Sequence, residues 1–171
     1  MTDSTNATGP GRSLRVLAAS DAPILVQRDG VAVQLRIDRA AVVALASEQA
    51  AHAGDGSLFR FYLMLEHVRG THDATVLQAF LRTQGATRAG HSQDTYLASV
   101  GLFGLRRASS DDASDGLHYY LDVTSHAALL QRATGPTEAH LCVSIRPRQA
   151  LPGGVAIDIG RICICVEHVD A

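Results

Sequence analysis

Lysine is missing from this chain: all 15 basic residues are arginine. With the high alanine content, this matches the coding bias of a GC-rich genome and carries no mechanism. An excess of charge is missing as well. The formal net charge is -2, which argues against a nucleic-acid surface and against a polybasic membrane anchor. No apolar run approaches the roughly 18–20 residues that a membrane helix needs. The opening stretch MTDSTNATGPGRS has neither a basic n-region nor an apolar core, so no targeting signal is expected. Cysteine is scarce. Three cysteines without a secretory signal suggest reduced thiols in a cytoplasmic setting rather than a disulfide framework. Catalytic signatures are absent too: there is no GxGxxG, Walker loop, HExxH or GxSxG. Independent catalysis is therefore not expected.

What the sequence does contain is ordinary globular material, with 46% hydrophobic and 19% charged residues over 171 positions. That length accommodates one sizeable domain. Residues 1–12 are rich in Ser, Thr, Asn, Gly and Pro and read as a disordered tail, leaving 13–171 as a single domain. From Leu14 onward the pattern is β. LRVLAA and PILVQ are short apolar stretches, Arg28 to Gly30 is a turn signal, and VAVQLRI alternates with period two, which predicts a hairpin. DRAAVVALASEQAAHAG invites a helix with Asp38 as N-cap and Gly54 where a left-handed cap would stand, while its valines leave a partly connecting loop as the other reading. LFRFYLMLEHV, TVLQAFLR, TYLASVGLFGLRRAS, LHYYLDVT, AHLCVSIRPR and VAIDIGRICICVEH read as further strands. Gly101 and Gly104 suggest a bend or bulge, and SHAALLQRA a two-turn helix. The expectation is a mainly β protein: a single antiparallel β-sandwich or flattened barrel of about eight strands, with one or two short helices.

RICICVEH, near the end of the chain, combines strand periodicity with sulfur and imidazole. Alternation places Cys163, Cys165 and Glu167 on one face and Ile162, Ile164, Val166 and His168 on the other. The two cysteine Cα atoms lie roughly 6.6 Å apart along a strand, with parallel Cβ vectors, so a disulfide between them is not expected. Two readings stay open. The thiolates can hold Cu(I), a soft ion that favours sulfur, with His168 joining if the chain end twists. Alternatively both thiols are small buried hydrophobes. EHVRGTHD offers His67, His72 and Asp73 around a turn, either as converging metal ligands or as a solvated hairpin end. His118, beside Tyr119 and Tyr120, reads as part of a strand with one wet face.

The strand order resembles the C-terminal β-domain of the tyrosinase and polyphenol oxidase family, the type 3 copper oxidases. The likeness runs from about Pro23 to His168 and rests on six stretches taken in order. PILVQRDGVAVQLRI is similar to the opening hairpin that follows the catalytic domain in the plant enzymes. FYLMLEHVRGTHDATVLQAFL resembles the strand–turn–strand that carries their KFDV-type motif, here the apolar VLQAF. YLASVGLFGLRRAS resembles their AGSF-type strand, in the form found in bacterial tyrosinase-like proteins. LHYYLDVTSHAALLQ, LCVSIRPR and VAIDIGRICICVEH repeat the order strand, short helix, strand ending in Pro, and final strand.

The resemblance implies a non-catalytic accessory domain that binds a tyrosinase-like type 3 copper protein. It would shield the dicopper site or assist folding and copper loading. Leu102, Phe103 and Leu105 of LFGL are then candidates for an apolar anchor entering the partner's active-site mouth, with glycine-flexed core packing as the other reading. No cofactor is required, though copper fits the Cys and His residues. Nucleic acid and membrane are not expected as partners, and a homo-oligomer is compatible with the sequence. The alternatives from other classes are a Cu(I) carrier using the C-terminal CxC and a purely structural or assembly β-domain.

Overall fold

The computed structural model describes residues 14–53, 58–73, 75–84, 92–110 and 115–169. The expected tail at 1–12 and the expected stop at Gly54 lie outside these residues. Among the described residues, nine antiparallel strands form one nearly closed, barrel-like sheet, so the mainly β expectation holds in its barrel form.

The strands are β1 (Leu14–Ala19), β2 (Ile24–Val26), β3 (Val31–Ile37), β4 (Leu58–Gly70), β5 (Thr75–Gln84), β6 (Ser92–Leu102), β7 (Leu117–Asp122), β8 (His140–Pro147) and β9 (Ile157–Val169). Three helices interrupt them: α1 (Arg39–Ala51), the single turn α2 (Leu105–Ala108) and α3 (Ala127–Ala133), the last entered through a 3-10 turn at Thr124–His126. The sheet runs β6-β5-β8-β3-β1-β9-β4-β7, with β2 added alongside β9. The two edges, β6 and β7, approach each other to within 8 Å between Cα atoms.

Local pattern explains most of this. In β3, Val33, Leu35 and Ile37 point into the barrel while Ala32, Gln34 and Arg36 face solvent, the signature of a strand with one buried side. β9 lies between β1 and β4, and Ile162 through Glu167 are buried on both faces. In α1 the Asp38 carboxylate accepts the Ala41 N–H at 3.0 Å, as an N-cap should. Ala41 and Leu45 then turn inward to the core.

The expected hairpin between PILVQ and VAVQLRI is corrected. The turn forms, with the Gly30 N–H donating to the Gln27 carbonyl at 3.0 Å. Its arms then part: β2 pairs with β9, whereas β3 pairs with β1 and β8. A three-residue β2 gains more from the long β9 than from its sequence neighbour, because a barrel offers non-local partners that a local turn signal cannot reveal. The long reading of YLASVGLFGLRRAS is also corrected. The strand ends at Leu102, Gly104 takes a left-handed φ of 74°, and the chain turns into α2.

The two ends of the barrel are closed differently. α1 and α3 follow β3 and β7 and cover one end, contributing Ala41, Leu45 and Leu130 to the core. The Arg39 guanidinium ties them together by donating to the Thr134 and Gly135 carbonyls, each at 3.0 Å. The opposite end carries the β4–β5 connection, the Leu102–Ser109 turn and the starts of β7 and β9, and is sealed by Leu102, Leu105 and Leu151. The candidate functional features collect there.

Candidate functional site

Of the three residues expected to form an apolar anchor, only one reaches solvent. Leu102 and Leu105 are 0% exposed and belong to the core, so their place in the anchor is corrected. Phe103, between them, is 74% exposed. A large aromatic this open is unusual next to one fully buried leucine and two residues from another, with only the exposed Gly104 between it and Leu105. The turn that presents it is tied at several points. Asp73 Oδ1 accepts the Arg106 N–H at 2.9 Å, and Ser109 Oγ accepts the Gly70 N–H at 2.9 Å while donating to the Leu105 carbonyl at 2.7 Å. The ring lies over Gly101, where a Cβ would stand 2.6 Å from Phe103 Cε2. Phe103 is thus an exposed apolar side chain on a fixed mount. Across the ladder, Thr75 and Val76 line a cavity of about 340 Å³ together with His72, Arg148 and Leu151.

The second feature is an irregularity in β4. Its inward residues Phe61, Leu63 and Leu65 are followed by Val68 and Gly70, so the period-two pattern slips by one at Glu66–His67. In β9, Ile157 and Ile159 give way to Ile162 and Ile164, with the same slip at Gly160–Arg161. The third strand, β7, does not slip. Between the pairs Leu65↔Tyr119 and Val68↔Leu117, Glu66 and His67 together face the single residue His118. This is a β-bulge, and it keeps Val68 in the core while turning the His67 imidazole outward.

His67 has a φ of 55°, left-handed for a residue that bears a Cβ. Both flanking strands supply glycine beside it. A Cβ on Gly160 would lie 2.8 Å from the His67 Cβ, and one on Gly116, itself at φ 76°, would lie 2.9 Å from both the His67 carbonyl carbon and the Val68 oxygen. The imidazole is aimed at the start of β7. Its Nδ1 lies 2.8 Å from Asp115 Oδ1 and 3.0 Å from the Asp115 carbonyl oxygen. The other carboxylate oxygen, Oδ2, lies 3.3 Å from His118 Nε2. The two imidazoles meet edge to face with centroids 4.7 Å apart. One carboxylate is thereby held between two histidines on the rim of the barrel.

For His67 and His72 both converging ligands and a solvated hairpin end were open, and the structure groups His67 with other residues. His72 faces the cavity beside Phe103, while His67 finds His118 and Asp115. Sequence reasoning placed His118 on a wet strand face, which is correct, but did not connect it or Asp115 to His67. A signal was available. The apolar spacing in LEHV and IGRI marks two matched phase slips, and DGLH places a carboxylate and an imidazole three residues apart.

The alternation expected in RICICVEH is present. Ile162, Ile164 and Val166 join the interior, while Cys163 and Cys165 form a small separate cluster with Met64 on the outer side of the sheet. Each thiol is 1% exposed. The Cys165 thiol is pushed up, held in its protonated form by its hydrogen bond with Cys163, by burial and by the nearby Glu66 carboxylate. That is the setting of a small hydrophobe, and a thiolate ligand would have to form against it. His168 lies apart from the cysteines, stacked on Phe59 with centroids 5.0 Å apart and 4.9 Å from His52.

Among the described residues, no helix is long and apolar enough to cross a membrane. No curated protein matches the chain. A family model described as Domain of unknown function (DUF7868) matches residues 13–167, from the first strand to the last, and the chain belongs to that family.

Proposed function

We propose that this chain is a non-catalytic accessory domain that binds a tyrosinase-like type 3 copper oxidase and covers the mouth of its dicopper site. The observation that carries the reading is Phe103: an aromatic ring 74% exposed, between two leucines at 0%, on a turn tied to β4 by Ser109 and to the β4–β5 connection by Asp73. Shielding needs one apolar side chain held rigidly enough to enter a partner's cleft without losing much conformational freedom on binding. The strand order that resembles the family's C-terminal β-domain supplies the partner. The copper in question is the partner's, no cofactor of the domain's own is required, and the complex belongs in the cytoplasm. Assistance with folding or copper loading follows from the same contact, because a covered site is protected while it assembles.

The Cu(I)-carrier reading is disfavoured by the burial of both CxC thiols and by the surroundings of Cys165, which hold its thiol protonated. A purely structural or assembly role, including self-association through Phe103, is an outcome of the test. That test is co-expression with a tyrosinase-like oxidase from the same genome, followed by co-purification and phenol-oxidation assays. Wild-type chain is expected to co-purify and suppress phenol oxidation. Phe103→Ser should weaken the complex at least about 30-fold, the size of a central aromatic contact worth roughly 2 kcal/mol or more. An oxidase equally active, equally copper-replete and uncomplexed in the presence of the wild-type chain would end the proposal.

A further inference from the structure

The His67–Asp115–His118 cluster is more elaborate than an ion pair requires. An exposed pair of this kind contributes about 0–1 kcal/mol. Holding a residue with a Cβ in the left-handed region costs on the order of 1–2 kcal/mol. The bulge itself explains the phase slip in β4, but it does not explain the residue that occupies it. Glycine would sit at φ 55° without strain. Instead a histidine is there, glycines at 116 and 160 clear space around it, and its ring is turned onto a carboxylate that also meets a second histidine.

From this geometry we infer a binding site for one divalent first-row transition ion of the Cu2+ or Zn2+ kind, with His67, Asp115 and His118 as its protein ligands. One ligand atom from each residue already lies within 4.8 Å of the other two. A tetrahedral ion with bonds of about 2.1 Å needs ligand atoms about 3.4 Å apart. One carboxylate oxygen stands 2.8 Å from His67 Nδ1 and the other 3.3 Å from His118 Nε2; with one ligand atom of each residue within 4.8 Å of the others, the closing shift needed is at most about 1.4 Å. Two imidazoles and a carboxylate suit Cu2+, Ni2+ and Zn2+, with Cu2+ favoured in the general affinity order. Three protein ligands leave a fourth position for water or an exogenous ligand.

The proton balance is simple. His67 binds through Nδ1 with its proton moved to Nε2, His118 through Nε2 with its proton on Nδ1, and Asp115 as the carboxylate. Neither cysteine takes part, so the site is separate from any Cu(I) chemistry at the CxC. It also does not depend on the accessory-domain proposal.

The test is titration of the full chain with Cu2+ and with Zn2+, each alone, by calorimetry, with electron paramagnetic resonance of the copper complex. A one-to-one complex with nitrogen coordination is expected. His118→Ala and Asp115→Asn should each weaken it at least about ten-fold. His67→Gly should do the same while leaving the protein at least as thermally stable, which separates ligand loss from unfolding. His72→Ala and the paired His52→Ala/His168→Ala variant should bind as wild type. Wild-type affinity in a folded His67→Gly/His118→Ala chain overturns the assignment, as does no one-to-one binding by the wild-type chain or loss of binding confined to the His52/His168 variant.

Discussion

The two ends of this barrel are built from similar side chains used in opposite ways. At the helical end, aromatic and charged groups are matched to one another. Phe59 stacks on His168 and His52 lies beside them, while the Arg15 guanidinium donates to Glu48 at 2.6 Å and 3.0 Å and holds that carboxyl below its usual value. At the other end, Phe103 has no such cover and the paired imidazoles stay exposed. Yet the backbone there is the more tightly specified of the two, with a bulge, four left-handed glycines and a turn held by Asp73 and Ser109. Exposure combined with rigid support is what a contact surface or ligand site needs, whereas exposure alone is ordinary. The contrast makes the rim at β4–β5 the candidate functional end.

The sharpest way to break the comparison is to unseal each end. Leu105→Ala and Leu45→Ala should each cost about 2–5 kcal/mol in urea unfolding, because both remove a buried leucine that closes the barrel. Phe103→Ala, two residues from Leu105, should cost under about 0.5 kcal/mol. A large loss of stability in Phe103→Ala would mean that the ring packs on the fold and is not held in reserve for a partner.

A smaller effect tests the bulge. Gly160→Ala introduces a methyl 2.8 Å from the His67 Cβ and should destabilise by about 1–3 kcal/mol. In a His67→Gly background the clashing carbon is gone, so most of that cost should disappear, giving a coupling of roughly 1–2 kcal/mol in a double-mutant cycle. Additive effects would mean that the two strands do not accommodate each other at this point.

The smallest effect concerns the β6 edge. Asp94 accepts from Arg82 on β5 at 3.1 Å and also pairs with Arg146 on β8, and these bonds, Arg82 first, hold its carboxyl below the ordinary value. Its folded pKa is lower than its unfolded one. The contribution is therefore complete above about pH 4 and is lost as pH falls through the folded value. Asp94→Asn should lower stability slightly at pH 7 and flatten the decline below about pH 4. An unchanged acid limb would show that this bridge does not secure the edge.

The legible part of the molecule was the part governed by local period. VAVQLRI, LHYYLDV and RICICVEH alternate, and each became a strand with the faces that alternation demands. Asp38 capped the helix it was expected to cap. LFGL was harder to read, because four consecutive small or apolar residues give no indication of which one faces out. The turn at Gly104 and the tethers from Asp73 and Ser109 make that decision. His67 was noticed for its chemistry beside His72, which is close along the chain, and was not connected to His118, which is close only across the sheet.

Sequence alone therefore determined that the chain forms a mainly β body, which strand faces are apolar, where α1 begins, and that the cysteines and His168 sit on opposite faces of β9. These depend on side-chain periodicity and capping, which act over a few residues. Tertiary structure alone decided which strands pair, that β2 joins β9, that Phe103 and not its neighbouring leucines meets solvent, and that His67, Asp115 and His118 come together. Those outcomes depend on closing a barrel, where contacts between residues dozens of positions apart set the register and no local pattern encodes the partner.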